Sequence, residues 1–398
     1  MTSIAILGFG VVGGGVADLI TKNYGEVCRL GGDEINIKYI LDLRDFPDSP
    51  FADKVVHDFD VIVKDESVDC IIEVMGGSHP AYEYTMAALR AGKSVITSNK
   101  EVVANFGDEF LATAKEMNVS YRFEAAVGGG IPVISPMINC VGQNKITEVR
   151  GILNGTTNYI LTKMFSFGAS FEESLADAQA LGYAERNPDA DILGIDACRK
   201  IAILTSLATG KLIPTDNIHT EGITKIRKAD VDASAKIGLK IKLLGRCVVT
   251  DAGVTAMVAP FMLPEDMPLA TVSGVYNAVE VVGEPIGNVM FYGPGAGAGA
   301  TASAVVGDLM QVMRSGVCCA APVMEKTSEG VLSFDGFVSR SYIALSGISK
   351  EKVREIFGEV SFIDSDECAF ITSPLSEEQV GTMLGKSGAA CLSRIRLL

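Results

Sequence analysis

A doubly wound parallel α/β sheet, followed by an α+β region and a small C-terminal α+β module, is the fold class this sequence predicts. Three observations predict it. A short apolar strand from Ser3 to Leu7 runs straight into Gly8, Phe9, Gly10, Val11, Val12 and Gly13, then into the helical pattern VADLI. Apolar strands and helical patterns then alternate as far as Glu124, as parallel strands joined by helical crossovers do. From Glu148 the rhythm changes, and KIKLLGRCVVT and VTAMVAPFML read as adjacent strands of a mixed sheet.

The first element carries GxGxxG in the strand–turn–helix setting of a Rossmann dinucleotide site. Gly8 serves the tight turn, Gly10 lets main chain approach a pyrophosphate, and Gly13 lets helix pack on strand; Phe9, Val11 and Val12 complete the loop. The second strand, INIKYILDLRD, should end near Leu43 to Asp45, where such folds choose their coenzyme, and the chain offers Asp42, Arg44 and Asp45 there. An acid there binds the ribose hydroxyls of NAD, and an arginine binds the 2′-phosphate of NADP. If Asp42 points across the sheet and Arg44 closes the strand, NADP is favoured.

Further strands are expected near Cys70 to Val74, Ser94 to Thr97 and Ser120 to Glu124, with helices in PAYEYTMAALRAG and GDEFLATAKEM. Ligands bind beyond the carboxyl ends of such strands. EVMGGSHPA with Gly76 and Gly77, TSNKEVV with Lys100, and FEAAVGGGIPVI should therefore line one crevice. In the second region EVRGILNGTTNYILTKM pairs a strand with a helix capped by Asn154 or Thr156. GPGAGAGATASAVVGDLM begins a later helix expected to pack back on the coenzyme domain.

The segment GYAERNPDADILGIDACRK concentrates polar groups before the apolar run IAILTSLATG. Asp196 and Lys200 stand four apart on a helix and share a face, and Asp191 precedes Asp196 by five. A structural ion pair accounts for Asp196 and Lys200 alone. With Tyr183, Glu185 and Asp191 added, the segment reads as a substrate site carrying an amine and a carboxylate or carbonyl.

A net charge of −15 over 398 residues argues against nucleic acid or an anionic membrane surface as partner. The length fits two or three domains. Nine cysteines, Cys28, Cys70, Cys140, Cys198, Cys247, Cys318, Cys319, Cys368 and Cys391, form no CxxC pair and read as buried small hydrophobes of a reducing compartment. Neither a signal peptide nor a membrane span is indicated, so a cytoplasmic enzyme is expected.

Through GFGVVGGGV, TSNK, GILNGTTNYIL, GYAE with NPDAD, GIDACRK and GPGAGAGATASAVVGD, spanning roughly residues 1 to 315, the chain resembles the homoserine dehydrogenases. The resemblance implies interconversion of L-aspartate 4-semialdehyde and L-homoserine with NAD or NADP, on the route to threonine, methionine and isoleucine. It implies a coenzyme domain over 1–130 closed by a returning helix at about 297–315, a catalytic and dimerisation domain over 131–315, and an ACT-like module over 330–398. A homodimer or homotetramer is the expected assembly.

The resemblance also makes Lys200 the proton-relaying lysine, Lys100 a second lysine by coenzyme and substrate, and Asp196 the acid that orients the hydroxyl or the lysine. Glu185 and Asp191 become acids for the substrate ammonium, with Thr156, Gly182 and Tyr183 as further substrate contacts. Carbonyl oxygens of Glu124, Val127, Gly129 and Ile131 would hold sodium, although the same turn also reads as a plain structural loop.

Two departures stand out. Asn187 occupies the place before the proline where the family commonly has aspartate, and the tail lacks the DxPG turn usual in ACT modules. The tail is therefore expected to serve packing rather than threonine feedback. Two other readings remain: a redox-dead nucleotide-binding regulator, and another Rossmann oxidoreductase such as an aspartate-type or saccharopine-type dehydrogenase. A phosphorylating semialdehyde dehydrogenase would demand a reactive cysteine, and no Cys/His pairing supplies one.

Overall fold

Six parallel strands build the first sheet: β1 (Thr2–Leu7), β2 (Ile35–Leu41), β3 (Val55–Val56), β4 (Cys70–Glu73), β5 (Ser94–Thr97) and β6 (Tyr121–Arg122). Their order, β3-β2-β1-β4-β5-β6, reverses direction between β1 and β4, the switch point at which doubly wound sheets bind dinucleotides. The computed structural model describes residues 1–315, 322–327 and 329–398; Cys318 and Cys319 lie outside them. It divides into one unit of Met1–Lys145, Ala202–Thr215 and Gly293–Thr327, and another of Ile146–Ile201, Asp216–Tyr292 and Ser328–Leu398.

In the first unit the strands are apolar almost without interruption, and Ile4, Ile6, Ile71, Ile72, Val95 and Ile96 are fully buried, as expected of a sheet covered on both faces. Each such side chain contributes about 1.5–3 kcal/mol of burial free energy. The helix Ala298–Ser315 returns to this core, where Ala302, Val305, Val306 and Leu309 pack with Val16, Ala17 and Ile20 of the helix Val11–Lys22. The last strand is shorter than the sequence suggests. Glu124 stands in a 3-10 turn (Glu124–Ala126), its buried carboxylate turned inward to accept N–H bonds from Val133, Ile134 and Ser135 at 2.6, 2.8 and 2.7 Å.

The second sheet is mixed. Its centre is the hairpin Leu239–Thr250 with Gly253–Pro264, paired antiparallel along its whole length, with Lys145–Ile152 beside the first strand. Beyond Gly253–Pro264 lie four strands of the tail, ordered Ala390–Leu397, Ser341–Ser346, Cys368–Thr372 and Val360–Ile363. With the helices Lys350–Phe357 and Glu377–Ser387 they form a β-α-β-β-α-β unit of spatial order 4-1-3-2. Ile343, Leu345, Val353, Phe357, Phe370 and Val380 give the tail a core of its own.

Charge ties the tail to Glu221, which follows the short strand His219–Thr220 paired to the hairpin. The guanidinium of Arg396, 1 % exposed, donates to Glu377 and to Glu221, both at 2.8 Å. Burial alone would raise the Glu221 carboxyl, but His219 and Arg396 overcome it and hold it at about 2. Removing one partner of such a buried set typically costs about 3–5 kcal/mol.

The cysteines divide. Cys70, Cys198 and Cys247 are buried as expected, whereas Cys28 and Cys368 are half-buried and Cys140 and Cys391 exposed. Cys140 sits on a solvent-facing turn (Met137–Val141) and Cys391 near the start of a strand, so neither reaches a core. Among the described residues no helix is long and apolar enough to cross a membrane.

Candidate functional site

The first unit presents a cradle at the end of β1. Gly8 takes φ +95°, and a Cβ on Gly13 would stand 1.9 Å from the Gly8 carbonyl oxygen, so any side chain there collides with the turn. A Cβ on Gly10 meets nothing within 4 Å, leaving main chain open to a ligand at the helix N-terminus.

Beside this turn Asp42 and Arg44, the residues expected to select the coenzyme, occupy one arrangement. Strand β2 stops at Leu41, and Asp42 faces the glycine turn rather than across the sheet, accepting from Phe9 N at 2.8 Å. Arg44 lies beyond the strand and donates from Nε and Nη2 to the same carboxylate at 3.0 and 3.1 Å, its guanidinium over the Phe46 ring. That guanidinium and the N–H of Phe9 hold the Asp42 carboxyl down at about 2. The condition set on Asp42 by strand parity is not met, because the strand stops at Leu41, two residues short of the earliest expected end at Leu43, and the carboxylate accepts from the loop N–H of Phe9.

The loops after β4 and β5 carry the other expected coenzyme residues. Gly76 and Gly77 follow β4, with Gly77 at φ +76°. Lys100 opens the helix Lys100–Glu116, which Asn99 caps through bonds from Glu101 N and Val102 N. The Asn99 amide donates to the Gly77 carbonyl at 2.7 Å, joining the two loops. Further along, the turn from Glu124 to Ile131 bends through Gly128 and Gly129, at φ +74° and +58°. Among the described residues no group of three or more His, Cys, Asp or Glu could hold a metal ion.

The second unit holds the acid–lysine cluster. Asn154 caps the helix Gly155–Phe167 by accepting from Thr157 N at 2.9 Å. A Cβ at position 155 would lie 2.6 Å from the Val275 oxygen, so glycine is required for the chain to enter the helix here. The amide of Asn154 donates to Asp191 Oδ1 at 2.7 Å and to Asp196 Oδ2 at 2.9 Å. Lys200 Nζ donates to Asp196 Oδ2 and to the Leu153 carbonyl, each at 2.7 Å. Asp196 and Lys200 are buried.

Asp191 reaches the cluster from a separate turn, Asp189–Ile192, the chain breaking at Gly194 with φ +85° before the Asp196 helix begins. Burial raises the Asp191 carboxyl and the neighbouring Asp196 adds to it, against the pull of Asn154 and Lys200. Thr156 donates to the Tyr183 carbonyl at 2.6 Å, fixing the loop that follows Gly182. The Tyr183 ring leans on Tyr159 with centroids 5.0 Å apart and remains half-exposed. Glu185 is exposed on that loop and stands outside the buried cluster. Two participants escaped the sequence reading: the Leu153 carbonyl, and Asn154 in its second role as bridge between the acids. The cap position was the available signal for Asn154.

Such a set can bind an amine with its acids and hand a proton to an oxygen from its lysine. Comparison with known proteins gives the chemistry a name. A family profile described as "Homoserine dehydrogenase, NAD binding domain" matches residues 8–124, and one described as "Homoserine dehydrogenase" matches residues 132–310. The homoserine dehydrogenase of Synechocystis sp. is 41 % identical over 315 residues, 78 % of this chain and 73 % of that protein. The Mycobacterium tuberculosis homoserine dehydrogenase is 40 % identical over 362 residues, 88 % of this chain and 81 % of its own. The crystal structure of a homoserine dehydrogenase from Thiobacillus denitrificans superposes with a TM-score of 0.92 at 33 % identity, covering 100 % of this chain and 98 % of that one. A hyperthermophilic archaeal homoserine dehydrogenase mutant in complex with NADPH matches 78 % of this chain and 97 % of its own, with a TM-score of 0.66 at 30 % identity. On these findings the chain belongs to the homoserine dehydrogenase family.

Proposed function

We propose that this enzyme interconverts L-aspartate 4-semialdehyde and L-homoserine in a pathway toward threonine, methionine and isoleucine, in the cytoplasm. The observation that carries the site assignment is the set of buried Asn154, Asp196 and Lys200 with half-buried Asp191, joined by three hydrogen bonds of 2.7–2.9 Å and anchored by a fourth, of 2.7 Å, from Lys200 to the Leu153 carbonyl. In the reductive direction a hydride reaches the aldehyde carbon and a proton reaches its oxygen, giving the alcohol. The dinucleotide supplies or accepts the hydride. Lys200 holds the proton at Nζ, with Asp196 and the Leu153 carbonyl fixing the ammonium so that it delivers along one direction. Asp191 and Glu185 take the substrate ammonium, and Thr156, Gly182 and Tyr183 shape the rest. Lys100 adds a second positive charge by coenzyme and substrate.

Gly8, Phe9, Gly10, Val11, Val12, Gly13, Gly76 and Gly77 hold the dinucleotide. NADP is the preferred form, because Asp42 already spends both oxygens on Phe9 and Arg44 and is a poor partner for ribose hydroxyls, whereas Arg44 is exposed to meet a 2′-phosphate. Sodium sits on the carbonyls of Glu124, Val127, Gly129 and Ile131. That turn suits it, since the Glu124 carboxylate is consumed by three N–H donors and only carbonyls remain to face a hard cation. The tail over 330–398 is a packing module, and the enzyme is a homodimer or homotetramer. Exposed Tyr276 and Tyr292, stacked 5.3 Å apart at the edge of the second sheet, suit a second copy.

Purified enzyme with L-homoserine and NADP or NAD in separate assays tests the whole reading. Reduction of the dinucleotide, faster with NADP, is the expected result. Absence of turnover with both, in sodium and in potassium buffers, overturns it.

A further inference from the structure

We propose that Glu73 is a positioning residue for the dinucleotide, its buried carboxylate locking the loops that follow β4 and β5 into one hydrogen-bonded frame. The inference rests on the reading that these loops, through Gly76, Gly77 and Lys100, line the coenzyme crevice.

Glu73 is the last residue of β4 and is fully buried. It lies between Leu7, the residue before the glycine turn, on one side and Thr97 on the other. One carboxylate oxygen accepts from Met75 N at 2.8 Å, the other from the Thr97 hydroxyl at 2.5 Å. Thr97 Oγ1 in turn accepts from Asn99 N at 2.9 Å. Asn99 then returns the connection by donating to the Gly77 carbonyl at 2.7 Å. A second clasp lies outside this ring, where Ser78 donates to Glu101 at 2.6 Å.

The ring therefore starts and ends on the loop bearing Gly76 and Gly77, and passes through the residue that caps the Lys100 helix. Only a group that accepts two hydrogen bonds at once closes it, and a carboxylate does so where an amide presents N–H to one of the two donors. Burying an acid at the end of a strand such as Cys70–Glu73 is costly, and burial pushes its carboxyl up to about 7. An apolar residue would serve packing at lower cost. A desolvated ionisable group kept at the end of β4, beside the switch point between β1 and β4, points to function.

The test uses the full-length enzyme and three variants, Glu73→Gln, Thr97→Val and Gly76→Leu. Gly76 has open space around its Cβ and an ordinary φ, so leucine there leaves the fold intact while filling the crevice. Expected for Glu73→Gln is a rise of about tenfold in KM for NADP, with KM for L-homoserine at saturating NADP changed less than about threefold. Thr97→Val should move KM for NADP the same way by a smaller factor. An unchanged KM for NADP in Glu73→Gln, with only the melting temperature altered, overturns the proposal if Gly76→Leu has lost NADP binding. Normal NADP binding by Gly76→Leu overturns the reading of the loop, and the proposal with it.

Discussion

Lys200 carries three constraints at once: a carboxylate to its side, a main-chain oxygen behind it and burial around it. Lys200→Ala should lower kcat by about 10²–10⁴-fold, the range for loss of a general acid. It should also lower the melting temperature, since Asp196 is left buried without its cation. The double variant Lys200→Ala/Asp196→Ala separates these effects, recovering stability in a thermal melt but not turnover. At the coenzyme, Arg44→Ala should reduce the ratio of kcat/KM for NADP over NAD by about tenfold or more, the worth of a charge-assisted phosphate contact. The same change frees Asp42 to accept ribose hydroxyls, so kcat/KM for NAD should rise. A ratio unmoved by the substitution would show that Arg44 does not read the 2′-phosphate.

The elements differ in how openly the sequence displays them. The glycine turn was legible because its requirement is local: Gly13 meets Gly8 across five residues, and the motif records that contact directly. Gly13→Ala should cost about 1–3 kcal/mol of stability and weaken dinucleotide binding, whereas Gly14→Ala, with nothing within 4 Å, should be neutral or slightly stabilising. Urea unfolding with and without NADP measures both. The pairing of Asp196 with Lys200 was equally legible, being one helical turn. The bridge through Asn154 was not, because it joins residues 37 and 42 positions apart that only the tertiary fold brings together. Nor was the facing of Asp42, decided by where β2 stops rather than by alternation along it. Glu73 entered the sequence reading only as the first residue of the crevice segment EVMGGSHPA; its role stayed hidden because a single acid after an apolar run looks like the wet end of a strand, whereas it is fully buried.

For the whole molecule, two buried acids contribute a loss of stability as pH rises. Burial raises Glu73 and Asp308 each to about 7, with the charge on Glu124 adding to the effect at Asp308. The native state thus holds these protons more tightly than the unfolded chain, whose carboxyls titrate near pH 4. Their stabilisation is complete below that pH and is lost as pH rises through about 7. Asp42, held at about 2, acts oppositely, its contribution disappearing only as pH falls below about 4. The melting temperature should therefore decline between about pH 5 and about pH 8, and Asp308→Asn should flatten that decline. A melting curve independent of pH in this window would contradict the upward shift of both carboxyls. The joint at Asn154 has a consequence for the lifetime of the enzyme. Asn154 is followed by Gly155, the pair most prone to spontaneous deamidation, and the native helix cap holds its amide away from that reaction. Each unfolding exposes the amide, and conversion to an acid would remove the donor that keeps Asp191 and Asp196 together, setting three carboxylates face to face. Repeated heating and cooling should then leave a growing fraction of chains that refold without activity and are about one mass unit heavier. Age, for this protein, is written into a single side chain.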